Sequence, residues 1–305
     1  MGLHEYLVKG SLNAYHNLML KRLVNGFILN RLHITLSSLA IMWCWSRFLG
    51  IPFRRLDYLI IALVVACISQ YNRLTDREED QINCPEDLAD AWRKRRLIRA
   101  FCYGGGALAI LLAVLTDPSR PVMALVATGA AIGYFYNSPL LPWRPRMRLK
   151  NLLFIKNFSS GLGWSLGILV FPALRAHAPL DGSFWIAFAY MFLTVMTYEI
   201  MWDIRDREGD KAAGVITLPI AFGLRAARVF IVFLQAACIV LIGLGLQQGM
   251  LAGSWAIFIL PSITLAAVAL LFDLQAERSS SHVMVCGLVV FSLLGGWLAA
   301  WATLA

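Results

Sequence analysis

Residues 198–210 read YEIMWDIRDREGD and stand at the end of a long apolar run. Five of the side chains in this stretch are carboxylates. Asp206 and Asp210 are four residues apart, so a helix places them on the same face. Acidic groups at the edge of a membrane are costly unless a cation meets them. The stretch therefore indicates a site that binds positive charge.

Residues 72–80, NRLTDREED, have the same character earlier in the chain. Asn72, Asp76 and Asp80 recur at intervals of four, which aligns three oxygen-bearing side chains on one helical face. This stretch also closes an apolar segment. The chain therefore carries two acidic motifs: motif 1 is Asn72, Asp76 and Asp80, and motif 2 is Asp203, Asp206 and Asp210.

The composition places the chain in a membrane. Of its 305 residues, 59% are hydrophobic and 15% are charged, whereas soluble domains are nearer 45–50% apolar and about 25% charged. The net charge of +9 comes from basic residues clustered in particular loops, so we do not infer nucleic-acid binding. The six cysteines form no CxxC pair, and we interpret them as small apolar side chains.

The apolar segments predict an all-α membrane protein with nine transmembrane helices around a central cavity, because a span needs about 20 apolar residues. The predicted spans are 32–50, 57–72, 97–116, 121–137, 152–174, 183–202, 226–247, 253–273 and 282–304. We expect one domain over residues 1–305, with an amphipathic surface segment at residues 1–30.

Basic residues alternate between loops, which predicts the orientation of the chain. The loops after the second, fourth and sixth spans are rich in arginine and lysine, whereas those after the third, fifth and seventh hold almost none. The loop after the first span, with Arg54 and Arg55, is an exception. The positive-inside rule then places the N-terminus and both motifs on the cytoplasmic side.

Two acidic motifs facing one cavity suit a substrate that carries a diphosphate. Mg²⁺ prefers one or two carboxylates together with substrate phosphates, and nearby arginine or lysine would contact the remaining phosphate oxygens. The surrounding spans, rich in Phe, Leu, Trp and Met, suit a long isoprenoid tail. The residues therefore indicate prenyl-diphosphate chemistry in the bilayer. Ordinary solvated ion pairs are the alternative for either motif alone.

The two motifs resemble those of the UbiA superfamily of intramembrane prenyltransferases. Motif 1 fits N-x-x-x-D-x-x-x-D, and motif 2 fits the D-I-x-D-x-x-x-D-x-x-x-G-x-x-T-L-P pattern, ending here at Thr217, Leu218 and Pro219. The resemblance covers nearly the whole chain. It implies a nine-helix bundle capped by cytoplasmic motif loops, with Mg²⁺ as cofactor and an isoprenyl diphosphate as substrate.

The chain departs from the family pattern in two places. Arg73 follows the motif asparagine where many members carry a second aspartate, and the R-P-L/I-x-x-G segment common after motif 1 is absent. A basic residue in the loop before the fifth span is common in the family. Arg148, Lys150 and Lys156 are therefore our candidates for substrate binding, although topology alone could account for each of them.

We assign a provisional role to each remaining site residue. All six motif side chains are candidate metal ligands, with Asp203 in a supporting role; Asp76, Asp206 and Glu199 are the candidate catalytic residues. Glu199 lies one turn deeper than Asp203 and could position an acceptor, accept a proton or pair with a base. Tyr198 and Trp202 could line the cavity and stabilise a cation, or anchor the chain at the interface.

Three functions remain open from the sequence. The first is transfer of a prenyl group to an aromatic or lipophilic acceptor. The second is a terpene cyclase, in which double bonds of the substrate capture the cation; the unusual sequence after motif 1 favours it. The third is an ion-coupled transporter, but its coupling sites would lie near the midplane, and these acids lie near one face.

Overall fold

The computed structural model describes residue 26, residues 30–138 and residues 148–271, and within those ranges the chain forms helices and no strands. We number the α-helices along the chain: α1 (Leu32–Phe48), α2 (Arg55–Thr75), α3 (Arg77–Asn83), α4 (Pro85–Arg93), α5 (Arg95–Thr116), α6 (Arg120–Asn137), α7 (Ile155–Ser165), α8 (Phe171–Arg175), α9 (Gly182–Arg205), α10 (Arg207–Ala212), α11 (Leu218–Ala221), α12 (Leu224–Gln247) and α13 (Ile259–Leu271). The prediction of an all-α protein is confirmed.

Within the described ranges, six helical segments are long and apolar enough to cross a membrane. They are Arg55–Thr75, Arg95–Thr116, Ile155–Arg175, Gly182–Arg205, Leu224–Gln247 and Gly253–Leu271. Helices α1 and α6 coincide with two further predicted spans. The ninth predicted span, 282–304, lies outside the described residues, as does the surface segment 1–30 apart from Gly26 and Asn30. The count of nine, the central cavity and the sidedness of the loops stay predictions.

The two motifs lie at one end of the bundle, which we call the motif end. Helix α2 ends at Thr75 and α9 ends at Arg205, and each is followed by a short acidic helix, α3 and α10 respectively. The two short helices pack against each other. The fold therefore brings together two motifs that are about 130 residues apart in the sequence.

An aromatic core fills the part of the bundle away from the motif end. The ring of Trp45 stacks on Phe258 with 4.9 Å between centroids, and Tyr190 packs edge-on against both rings. The Tyr190 hydroxyl donates a hydrogen bond of 2.9 Å to the Phe258 carbonyl, which satisfies its polar atom inside the core. This packing joins α1, α9 and the start of α13.

The fifth span changes its helical geometry along its length. Helix α7 runs into a π-helical turn at Leu166–Val170, and α8 completes the span. Arg175, at the end of α8, donates through Nε to Asp57 Oδ1 at 2.5 Å, and both side chains are fully buried. The guanidinium also donates to the Ala113 carbonyl at 3.3 Å. This ion pair joins three spans at the end opposite the motifs.

Candidate active site

The middle residue of each motif lies where a long helix gives way to a short one. Asp76 separates α2 from α3, and Asp206 separates α9 from α10. An aspartate at the start of a helix ordinarily accepts a hydrogen bond from a backbone N–H of the first turn. Neither side chain does so here. Both carboxylates are therefore directed to other partners.

The segment before α7 supplies two basic residues, one to Asp76 of motif 1 and both to the neighbouring Glu79. Lys150 Nζ donates to Asp76 Oδ1 and lies 3.0 Å from Glu79 Oε1. Arg148 Nη2 donates to the same Glu79 oxygen at 3.1 Å. The Thr75 hydroxyl adds a hydrogen bond of 3.1 Å to Asp76. Two predicted substrate-binding residues therefore lie beside motif 1. Arg148 pairs with Glu79, 69 residues earlier in the sequence, and Lys150 pairs with Asp76, 74 residues earlier.

Asn72, the third motif 1 residue, is oriented by α6. Asn137 Nδ2 donates to Asn72 Oδ1 at 2.9 Å, and Asn137 Oδ1 lies 3.1 Å from the Thr75 hydroxyl, whose single proton it shares with Asp76. Asn137 is buried and is the last residue of α6. The amide oxygen of Asn72 is thus fixed in direction, although one of its lone pairs is already used.

Lys156 connects the carboxylates of motif 2. Its Nζ lies 2.5 Å from Asp203 Oδ1 and 3.8 Å from Asp210 Oδ2. Asp203 is fully buried, and its second oxygen accepts from Asn157 Nδ2 at 3.0 Å. Asp210 Oδ2 is also buried, and no hydrogen-bond partner for it exists among the described residues. Each oxygen of Asp203 therefore has a partner, whereas Asp210 keeps an unused acceptor.

Asp206 is paired with its own neighbour. Arg205 donates through Nε at 2.8 Å and through Nη2 at 2.6 Å to the two oxygens of Asp206. The guanidinium also lies over the Trp202 ring, 4.3 Å from its centroid. Trp202 thus contacts a cation of the protein itself, on one face of its ring.

The two remaining predicted residues lie one turn deeper along α9. Glu199 Oε1 accepts a hydrogen bond of 2.6 Å from the Ser160 hydroxyl on α7. Tyr198 is partly buried and packs, with Trp202, against a cluster of apolar side chains that includes Ile200. Glu199 is therefore the deepest carboxylate of the group, next to an apolar wall.

Carboxylates outnumber cations at this site. The acids of the described contacts are Asp76, Glu79, Asp80, Glu199, Asp203, Asp206 and Asp210; the cations that pair with them are Arg148, Lys150, Lys156 and Arg205. Among the described residues, seven acidic side chains therefore stand against these four cations, with Arg31 acting on Asp80 as a further one. The excess of acidic groups suits the site to take up further positive charge.

The pKa values of two motif residues reflect this crowding. Burial, together with the nearby carboxylates of Asp76 and Asp206, raises the pKa of Asp80 to about 8, and burial has the largest effect. Burial likewise raises the pKa of Asp210 to about 7, against the opposing effect of the Lys156 ammonium. Acids of both motifs therefore influence one another electrostatically.

The donor set fits Mg²⁺ when phosphate completes the coordination. Within the described ranges, no three acidic, histidine or cysteine side chains converge as a closed metal site. Mg²⁺ does not need such a cage, because it keeps waters and takes oxygens from substrate phosphates. The unused oxygen of Asp210 and the excess of carboxylates supply the hard ligands that such an ion requires. The individual ligand assignments stay predictions.

Arg73 lies beneath motif 1 and is engaged by α4. It is 2% exposed, and its guanidinium lies 2.5 Å from Asp87 and 3.1 Å from Asp90. Gln70 accepts a further hydrogen bond of 2.9 Å from it, and Arg31 contacts Asp87 from the start of α1 at 2.7 Å. The departure from the family pattern at Arg73 therefore corresponds to an ion pair that attaches α4 to α2.

Sequence reasoning missed several side chains that the fold brings to the site. Each of these side chains contacts a predicted site residue, and for Asn83 the contact is with the backbone carbonyl of Asp206. The side chains are Glu79, Asn83, Asn137, Ser160 and Arg205. Glu79 and Arg205 lie inside the two quoted acidic stretches, so their positions were a usable signal. Ser160 and Asn137 carry no such signal, because only helix packing places them there.

Comparison with known proteins agrees with this arrangement. Residues 35–294 match the model of the UbiA prenyltransferase family. The digeranylgeranylglyceryl phosphate synthase of Methanopyrus kandleri is 30% identical over 227 residues, which cover 72% of this chain and 76% of that protein. The synthase of the same name from Thermococcus gammatolerans is 28% identical over 234 residues, 74% of this chain and 77% of its own length.

A solved structure shares the fold. A UbiA homologue from Archaeoglobus fulgidus, bound to DMAPP and Mg²⁺, aligns over 90% of this chain and 98% of its own length, with a TM-score of 0.66 and 18% sequence identity. The resemblance drawn from the motifs is confirmed, and so is the prediction of a prenyltransferase. The chain belongs to the UbiA prenyltransferase family.

Proposed function

We propose that this chain is a Mg²⁺-dependent intramembrane enzyme that ionises an isoprenyl diphosphate and transfers the prenyl group to a lipophilic acceptor. The observation that supports the proposal most is the packing of two acidic helices against each other, with more carboxylates than cations around them. A diphosphate with its metal ions would bring both the missing positive charge and the phosphate ligands.

The proposal gives the residues of the motif end distinct tasks. Asn72, Asp76 and Asp80 hold one ion or its waters, and Asp206 and Asp210 hold another, with Asp203 in support. Bound Mg²⁺ supplies charge neutralisation for the departing pyrophosphate. Arg148, Lys150 and Lys156 bind phosphate oxygens, as charge-assisted donors do. Lys150 contacts one oxygen of Asp76, and a phosphate oxygen of the bound substrate would offer this lysine a further partner.

The chemical step follows from these positions. The bond between the allylic carbon and the phosphate oxygen breaks, and the electron pair leaves with pyrophosphate. The acceptor nucleophile then forms a new bond to the allylic carbon, and Glu199 Oε2 accepts the proton that the acceptor loses. The apolar wall beside Tyr198 excludes water, which would otherwise capture the allylic cation.

The chemical class of the acceptor is the least constrained part of the proposal. The Methanopyrus kandleri relative is named for a glyceryl phosphate that carries two geranylgeranyl groups, whereas a relative from Oryza sativa is named chlorophyll synthase. Both names describe products with a polar head and an isoprenoid tail. We therefore infer that the acceptor supplies the polar head, either as an electron-rich aromatic ring or as a prenylated glyceryl phosphate.

One experiment separates the candidate functions. Purified protein in detergent is incubated with prenyl diphosphates of ten to twenty carbons and Mg²⁺, with an aromatic acceptor, a prenylated glyceryl phosphate or none, and products are identified by mass spectrometry. We expect an adduct that needs the acceptor and that disappears with EDTA. Release of hydrocarbon without any acceptor would instead identify a cyclase. Intact diphosphate in every reaction, with solute movement in proteoliposomes, would favour a transporter.

We also propose a single domain over residues 1–305, with the motif end on the cytoplasmic side. Gln81 on α3 is exposed and offers a place to test the orientation. A cysteine at this position should react with a membrane-impermeant maleimide only in inside-out vesicles, after the native cysteines have been replaced. Reaction in right-side-out vesicles alone would reverse the orientation.

A further inference from the structure

Asn83 connects the two acidic helices directly. It is the last residue of α3 and is 2% exposed. Its Nδ2 donates to the backbone carbonyl of Asp206 at 3.1 Å, and its Oδ1 accepts from the backbone N–H of Gly209 at 3.1 Å. The carboxamide therefore uses its donor and its acceptor at the same time, on two backbone groups of the motif 2 segment.

Gly209 allows this close approach. A Cβ atom at position 209 would collide with the Asn83 side chain and with the backbone carbonyl oxygen of Glu79. The side chain of Asn83 could move aside, but the Glu79 carbonyl belongs to the backbone of α3. Only glycine therefore lets α10 lie this close to α3, and the Asn83 carboxamide fills the contact with two hydrogen bonds.

These contacts lie between the residues that the proposed function assigns to the metal ions. Asn83 is three residues after Asp80, and its partner Gly209 is directly before Asp210. Asp206 supplies the other backbone contact. A change in the Asn83 contact would thus alter the separation of carboxylates that approach from two different helices.

We propose that Asn83 is a positioning residue that sets the distance between motif 1 and motif 2, and that it depends on the close approach of the two helices that Gly209 allows. The inference builds on the proposed function but concerns residues outside the motifs. Aspartate has the same shape but lacks the donor for the Asp206 carbonyl, and it adds a negative charge to an acid-rich site. Glutamine is one methylene longer and does not fit a contact this close.

The test measures binding of inorganic pyrophosphate in the presence of Mg²⁺, by calorimetry on the detergent-solubilised full chain. Asn83→Asp, Asn83→Ala and Gly209→Ala should each weaken this binding about 10- to 100-fold, the range found for residues that orient metal ligands. Gln81→Ala and Glu208→Ala are the matched controls, because both side chains are exposed on the same two helices. They should bind pyrophosphate as the native chain does.

A double-mutant cycle separates positioning from a general loss of stability. If Asn83 acts through the separation of the motifs, Asn83→Asp should weaken pyrophosphate binding far less in an Asp80→Asn background than in the native chain. Thermal unfolding in Mg²⁺-free buffer gives the purely structural effect, which should be the same in both backgrounds. The kinetic counterpart is a raised KM for the prenyl diphosphate together with a lowered kcat.

The outcomes distinguish the two proposals. Native-like pyrophosphate affinity in Asn83→Asp, while Asp80→Asn binds weakly, would overturn the positioning role and leave the proposed function intact. Native-like affinity in Asp80→Asn itself would refute the ligand assignment on which the inference rests. If Asn83→Ala does not fold, the isosteric Asn83→Asp still decides the question. Equal losses in both backgrounds would assign Asn83 a structural role only.

Discussion

Asp76 and Asp206 occupy equivalent positions: each is the residue at which a long apolar helix ends and a short acidic helix begins, and each has a backbone φ of −91°. The carbonyl of Asp76 accepts from the N–H of Asp80 at 2.8 Å, and that of Asp206 accepts from Asp210 at 3.0 Å. The last carboxylate of each motif therefore follows one helical turn after the middle one. The two motifs repeat one local structure.

Replacing either of these residues by its amide should stop the reaction. Asp76→Asn and Asp206→Asn keep the shape but remove the charge that the proposed ions need, so pyrophosphate release should fall by more than about 100-fold, beyond the loss typical of outer-shell residues. Release is measured with a coupled phosphate assay. Glu208→Gln, an exposed acid of the same stretch, is the control. A near-native rate in either variant would contradict the two-motif site.

Glu199→Gln should separate binding from transfer. Gln keeps an acceptor for the Ser160 hydroxyl but cannot take a proton, so we expect transfer to slow by about 10²- to 10⁴-fold, the usual contribution of a general base. The affinity for prenyl diphosphate should stay unchanged. Rapid-quench measurement of the adduct and equilibrium binding report the two quantities. Ser160→Ala is the control for lost packing, and transfer within a few-fold of native in Glu199→Gln would exclude this role.

The buried pair of Asp57 and Arg175 should matter for stability and not for chemistry. Arg175→Met leaves a fully buried carboxylate without its cation, which costs about 3–5 kcal/mol. Adding Asp57→Asn should recover much of this loss, because no unpaired charge then remains. Unfolding in denaturant measures both changes, and Arg55→Met provides an exposed control. A double variant less stable than Arg175→Met would show that the pair is not the cause.

Asp181 should stabilise the start of α9 in a pH-dependent way. Its Oδ1 accepts from the Phe184 N–H at 3.0 Å and from the Ser183 hydroxyl at 2.7 Å. The bond from Phe184 holds the pKa of Asp181 below its ordinary value of 3.8. A lowered pKa means that the charged form stabilises the fold fully above pH 3.8, and that this contribution is lost as the pH falls through the folded-state pKa.

Asp181→Ala should therefore lower the free energy of unfolding by about 1 kcal/mol at neutral pH. Thermal unfolding at several pH values measures the difference. Asp181→Asn keeps the acceptor without the charge, so its difference from the native chain should shrink in acid. A difference that does not change with pH would mean that the charge of Asp181 contributes nothing.

The sequence predicts local features of this protein well. Apolar length predicts where α5, α9 and α12 lie to within a few residues, because hydropathy is a property of neighbouring residues. The single helical face expected for Asn72, Asp76 and Asp80 is instead divided between α2 and α3, which meet at Asp76. The family resemblance also rests on local sequence patterns, and the match to the family model confirms it.

Contacts between helices could not be predicted in this way. Lys150 meets Asp76 across 74 residues, and Gly209 meets Asn83 across 126. No periodic pattern links such pairs, because their proximity depends on how whole helices pack. Arg73 illustrates the limit. Its position in the sequence beside Asn72 indicates a cation at the site, whereas in the structure its guanidinium pairs with Asp87 and Asp90 of α4.

The π-helical turn at Leu166–Val170 has a consequence for the whole fifth span. Lys156 and Arg175 are nineteen residues apart, so on an uninterrupted α-helix they would point about 100° away from each other. A π-turn accommodates one extra residue, which returns the two side chains to about the same direction. One span thus offers a cation to Asp203 at one end and to Asp57 at the other. Converting the turn to regular α-helix without changing the number of residues would rotate one cation away from its partner while leaving the composition and hydropathy of the span unchanged.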